Sequence, residues 1–106
     1  MPKYLIQANY TTDGMKGVLA EGGTGRRDAV AKMVEAAGAQ LELFYFAFGE
    51  DDAYLVVDGP DNVTAAAMSM MVNASGGATC HVTVLLTPEE VDAATQATVD
   101  YRPPGA

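Results

Sequence analysis

The chain has no tryptophan, one cysteine, one histidine, and six lysines and arginines against fourteen aspartates and glutamates. Each shortage excludes something. With Cys80 alone there is no internal disulfide, a usage that suits a reducing compartment, and the expected location is cytoplasmic. A formal net charge of −8 removes the uniform phosphate attraction behind nonspecific nucleic-acid binding and would be repelled by an anionic membrane, so neither partner is expected. No apolar run is long enough for a signal h-region or a membrane span. The few bases are also unevenly placed. Residues 1–38 hold Lys3, Lys16, Arg26, Arg27 and Lys32, whereas residues 39–106 hold ten acids and only Arg102.

What is present is alternation. Lys3 to Tyr10 alternates with β-forming residues, and Thr11-Thr12-Asp13 offers cap hydroxyls and an early acid before Met15, Val18 and Leu19 at helical spacing. Glu21-Gly22-Gly23-Thr24-Gly25 should break that helix, since glycine costs roughly 1 kcal/mol per position in a helix interior. A second helical stretch carries Val30, Met33, Val34 and Ala37 on one face and stops at Gly38. Gln40 to Phe48 and Ala53 to Gly59 read as a hairpin around Gly49-Glu50-Asp51-Asp52, a turn expected to use Gly49 for an unusual backbone conformation and its acids for solvation or local hydrogen bonds. After Pro60 comes a helix with Val63, Ala67, Met71 and Ala74 near helical period, ended by Gly76-Gly77. Cys80 to Leu86 is the fourth strand. Thr87-Pro88-Glu89-Glu90 has capping-box spacing and opens a short last helix.

The order predicts an α+β, ferredoxin-like βαββαβ domain: a four-stranded antiparallel sheet with helices on one face, a broken first helix and a short extra C-terminal helix. Right-handed crossovers put strands one and three at the centre. One domain spans residues 1–106, with 98–106 as an extended tail.

Period two assigns the faces. With Ile6, Ala8, Val82, Val84 and Leu86 beneath the helices, the opposite face carries Leu5, Gln7, Asn9, Glu42, Phe44, Phe46, Phe48, His81, Thr83 and Leu85. For strand three two registers are open, one adding Tyr54, Val56 and Asp58 to that face and the other Leu55 and Val57. Three exposed phenylalanines call for a cover, and a second copy of the sheet supplies one by forming a two-fold dimer.

Lys3 to Tyr10 with the following threonine, Leu43-Phe44-Tyr45-Phe46-Ala47-Phe48-Gly49-Glu50-Asp51-Asp52, and Val57-Asp58-Gly59-Pro60-Asp61 resemble the GYD domain family over nearly the whole chain. The Gly-x-Tyr-Asp run is matched by Gly49 and Asp52, with Asp51 in place of the tyrosine. The resemblance implies a dimeric α+β barrel and names no reaction.

Candidate chemistry is sparse. His81 could act as a general base with Asn9 or Glu42, or be an ordinary strand histidine. Cys80 and His81, adjacent on a strand, point to opposite faces and cannot share an ion within one subunit. Met68, Met70 and Met71 are better explained by packing, chiefly of Met71, than by soft-metal ligation. Glu50, Asp51 and Asp52 lack the spacing of a calcium loop and read as a solvated turn, so no metal and no cofactor is expected. Gly22 to Arg27 could cradle an anion or be a plain linker. Gln7, Asn9, Tyr10, Arg26, Arg27, Tyr45 and Tyr54 are the candidate ligand-binding residues. Three functions fit: a homodimeric or larger self-assembling module binding a small anionic or organic ligand, a cofactor-free enzyme of the oxygenase or isomerase type with an inter-sheet pocket, and an assembly with no ligand.

Overall fold

A computed structural model describes residues 1–106. The elements are β1 (Lys3–Tyr10), α1 (Thr12–Ala36), β2 (Gln40–Phe46), β3 (Ala53–Asp58), α2 (Asn62–Ala74), β4 (Ala78–Leu85) and α3 (Pro88–Thr95). The four strands form one antiparallel sheet in the order β2-β3-β1-β4, with β1 and β3 central as the crossover rule requires. This is the expected ferredoxin-like arrangement. No helix is long and apolar enough to cross a membrane.

Local chemistry accounts for the element ends. Thr11 caps α1, its Oγ1 accepting from the Gly14 amide at 3.1 Å, and Asp61 caps α2 by accepting from the Thr64 amide at 2.8 Å. Thr87 and Glu90 form the complete capping box of α3. The break in α1 is confined to one residue: Gly22 adopts φ +80° and ψ 167°, and helical geometry resumes beyond it. The expected glycine-rich interruption over 21–25 is therefore a kink. Gly49, in contrast, keeps a negative φ and is not needed for conformation.

The core lies between helices and sheet. Val30 and Val34 of α1, Met68 of α2, and Ala8, Leu55 and Val57 of the sheet are buried together. In β3, Leu55 and Val57 face the helices and Tyr54, Val56 and Asp58 face away, which decides between the two open registers.

Strand β2 departs from the expected pattern. Leu41 pairs with Val57, but Leu43 pairs with Val56 and Phe44 with Leu55, so a bulge at Glu42 inverts the alternation midway. Phe44 and Phe46 consequently lie on the helix side, their rings 5.0 Å apart and 62° inclined, with Tyr10 6.4 Å from Phe46. Leu43 and Tyr45 take the open face instead, and Phe48 lies beyond the strand, fully exposed. The three-phenylalanine patch does not form. One extra residue is enough to cause this, because side chains alternate strictly by two.

Helix α2 also turns a different face inward. Ala65 and Met68 are buried, while Val63 is 78 % exposed and Met70 and Met71 are each 70 % exposed, so Met68 fills the core in place of Met71. The edge strand β4 is tied to this helix by Asn73, which accepts from the Cys80 amide at 2.8 Å and donates to the Cys80 carbonyl at 3.2 Å. A side chain thereby satisfies backbone groups that an edge would leave unpaired.

Candidate functional site

The sheet separates the candidate residues into two groups, because even-numbered residues of β1 face the helices and odd-numbered ones face away.

On the helix side, α1 packs chiefly over β2 and α2 over β4. The gap between them leaves a cleft of about 460 Å³ floored by Ile6, Ala8, Leu55 and Val82. Met33 and Val34 line it from α1, Met68, Met71 and Val72 from α2, and Phe44 from β2. Fourteen of its 21 lining residues are hydrophobic, and the volume falls within the usual range for small-molecule sites. Polar side chains are few, Glu21, Arg26, Ser69 and Ser75, joined by the Tyr10 hydroxyl and the Cys80 thiol of two residues counted among the fourteen. Arg26 approaches Glu21 at only 3.5 Å, and both side chains are over a third exposed, so the pair is weak and the guanidinium is available to an incoming acceptor. The Cys80 thiol lies 3.7 Å from the Ser69 hydroxyl on the cleft wall.

Burial pushes the Tyr10 phenol above its ordinary value of 10.0; the Arg26 charge opposes this, and Asp52 and Glu21 add to it. The folded chain thus holds this proton when the unfolded chain has begun to lose it. Stability from this source is complete below the ordinary value and is lost as pH rises through the raised one. Thermal melts across that alkaline range should show a decline that Tyr10→Phe reduces, and tyrosinate absorbance should show a late-titrating component that the same substitution removes.

On the open face, Asp51 is the unexpected residue. Only 6 % exposed, it accepts from the Asn9 amide at 2.7 Å and the Gln7 amide at 2.9 Å, with the Tyr54 hydroxyl at 3.5 Å. Next to it, Asp52 accepts from the Tyr10 amide at 2.9 Å and donates its own amide to the Ala8 carbonyl at 3.0 Å. At these two positions the acidic turn is pinned to the end of β1, with Asp51 buried and Asp52 half-buried. His81 stands opposite Gln7 in the β1–β4 register, at the border of this network.

Of the sequence-derived candidates, the structure brings Gln7, Asn9, Tyr45, Tyr54 and His81 to the open face and Tyr10 and Arg26 to the cleft. Arg27 joins neither group, pairing on the surface with Asp28 at 3.2 Å. Glu42 is remote from His81. It meets Lys3 at 2.7 Å, as does Asp58, and Lys3 is four residues along β1 from Gln7, roughly 13 Å by strand rise. Hydrogen bonds from Lys3 to Asp58 and then Glu42 hold its ammonium above its ordinary value. Cys80 and His81 do point to opposite faces. Asp51 and the methionine-lined cleft had no signal in the sequence beyond their residue types.

The profile of the GYD domain family matches residues 4–95 of the chain. Comparison with curated proteins and with solved structures returns no match.

Proposed function

The chain belongs to the GYD domain family, and from that membership and its geometry we propose that it is a cytoplasmic small-molecule-binding module that works as a homodimer. The ligand is a compact, largely apolar organic molecule bearing one anionic or hydrogen-bond-accepting group. The observation that carries this reading is the cleft between α1 and α2, apolar over most of its lining, with the Arg26 guanidinium and Tyr10 phenol among its few polar groups. Apolar burial would supply most of the affinity and those two groups the orientation. Dimerisation is supported by the open sheet face, where Leu43 and Tyr45 are 40 % and 68 % exposed beside Leu5, Val56 and Leu85.

The test uses anilinonaphthalene sulfonate, an aromatic anion that fluoresces in apolar surroundings. Binding should weaken about tenfold in Arg26→Ala, the loss of one exposed-side charge-assisted contact. It should nearly vanish in Gly17→Leu. Gly17 lines the cleft, and a Cβ built there meets nothing within 4 Å, so the longer side chain enters open space and leaves the fold intact. Fluorescence unchanged in both variants would overturn the cleft reading. Native mass spectrometry of protein from its own source would then identify the natural ligand by its added mass.

A second reading, a cofactor-free enzyme, draws on the open face, where a buried carboxylate is held by Gln7 and Asn9 and His81 is the cross-strand neighbour of Gln7. It requires a substrate between paired sheets, so ligand-induced shifts at His81, with the cleft residues unmoved, would favour it.

A further inference from the structure

The two edges of the sheet are finished differently. β2 is interrupted by the bulge at Glu42 and carries that charge. β4 pairs with β1 in one unbroken register from Ala78 to Leu85, and it contains no proline and no Asp, Glu, Lys or Arg. Bulges, prolines and charges are the devices by which edge strands resist joining another strand, and β4 has none of them. Its outer side is closed at Cys80, where the Asn73 side chain takes both the backbone amide and the carbonyl. Backbone groups alternate in direction along an antiparallel strand, so the amides and carbonyls of Val82 and Val84 point to that same outer side, and no protein group bonds to them there.

The surface around this edge is apolar and free of charge. Val63, Ala66 and Met70 recur at helical spacing on α2, and the last two border a hollow of about 350 Å³ together with Val82 and Val84 of β4. Val63, Met70 and Val84 are 78 %, 70 % and 54 % exposed. No Asp, Glu, Lys or Arg occurs between Asp61, the cap of α2, and Glu89 in α3. Lys3, opposite Leu85 on β1, is drawn the other way by Asp58 and Glu42. A row of free backbone amides and carbonyls is satisfied by another extended strand. Two copies of a chain of net charge −8 repel each other, and they do so least where charge is absent. Joining β4 to the bulged β2 edge of a copy would be head-to-tail and open-ended, whereas β4 against β4 closes on itself.

We propose that β4 pairs antiparallel with β4 of a second copy about a two-fold axis at Thr83, joining two four-stranded sheets into one continuous sheet. Between the occupied Cys80 and the strand end at Leu85, the outward residues are Val82 and Val84, and this axis sets Val82 of each copy opposite Val84 of the other. The Val63, Ala66 and Met70 stripes of the two α2 helices then meet above the seam. This contact is separate from the open-face dimer proposed above, and the two together make a tetramer.

Sedimentation of the full chain against the Val84→Lys, Met70→Lys double variant tests the seam. Both residues are exposed in their own protomer, so far-ultraviolet circular dichroism should be unchanged. The lysines reduce the net negative charge of each copy and so ease general repulsion, yet they set like charges in the seam, where association should weaken about a hundredfold. The expected masses are a tetramer for the parent and a dimer for the variant, or a dimer and a monomer where the open-face pairing is the reading that fails. The Val82 amide should be protected from hydrogen exchange in the parent and released in the variant. A parent mass that the lysines leave unchanged, or a Val82 amide that exchanges freely in the assembled parent, would overturn the edge pairing and leave the open-face dimer standing. A parent chain that is monomeric at all concentrations would overturn both.

Discussion

Gly14→Ala is expected to destabilise the fold by about 3 kcal/mol, lowering Tm by roughly 10–20 °C. A Cβ built on Gly14 falls 1.7 Å from the Gly77 carbonyl oxygen and 2.7 Å from its carbon. Both are backbone atoms, so no side chain can swing aside. They are also held in place. The Thr11 amide donates to the Gly77 carbonyl at 3.1 Å, and the Thr11 hydroxyl contacts the Gly76 and Gly77 carbonyls at 2.8 and 3.2 Å. Relieving the clash means separating the start of α1 from the start of β4, which breaks these bonds and strains the Tyr10–Ala78 pairing beside them. Gly17→Ala, one turn later and in open space, should instead stabilise by about 0.5–1 kcal/mol through helix propensity alone. Circular-dichroism melts of the two variants would separate them by sign. If Gly14→Ala melted with the parent, the junction would be pliable and the close approach unimportant.

Asp51→Ala should cost about 3 kcal/mol, as removing one partner of a buried charged hydrogen-bond network commonly does. The loss is larger than that of one hydrogen bond because two amides, on Gln7 and Asn9, are left without an acceptor, and the turn is released from β1 at the same time. Asp51→Asn is the informative companion. An amide keeps one acceptor oxygen, and either Gln7 or Asn9 can rotate its own amide to accept from the new donor, so the network closes again and the cost should stay near 1 kcal/mol. Denaturant titration of the three proteins gives the ordering directly. An alanine variant as stable as the asparagine one would mean that water takes the place of the carboxylate and that burial at this turn is unimportant.

How much of this was legible before the fold was known depended on how local each cause is. The two halves of the candidate set, Tyr10 and Arg26 against Gln7 and Asn9, could be separated on paper only for β1, where alternation runs unbroken. In β2 apolar or aromatic residues occupy both parities, Leu41, Leu43, Phe44, Tyr45 and Phe46, so no pattern reveals the bulge at Glu42. In α2 the same ambiguity surrounds the helix: Val63, Ala65, Met68, Met70, Met71 and Val72 leave no single apolar stripe, and contact with β4 selects Met68.

By itself, then, the sequence determined the element order, the α+β class, the central placement of β1 and β3, and the three helix starts. Caps such as Thr11, Asp61 and Thr87 act within four residues, and crossover handedness is a general property of L-polypeptides. Only the tertiary structure decided that Phe44 and Phe46 turn to the helices, that Met68 and not Met71 fills the core, and that Asp51 is buried. The last depends on Gln7, 44 residues away in sequence, and Asn9, 42 residues away. The cleft is likewise a product of the spacing between two helices, each of which follows a different edge of the sheet. Such distances depend on packing between remote segments, for which local periodicity holds no record.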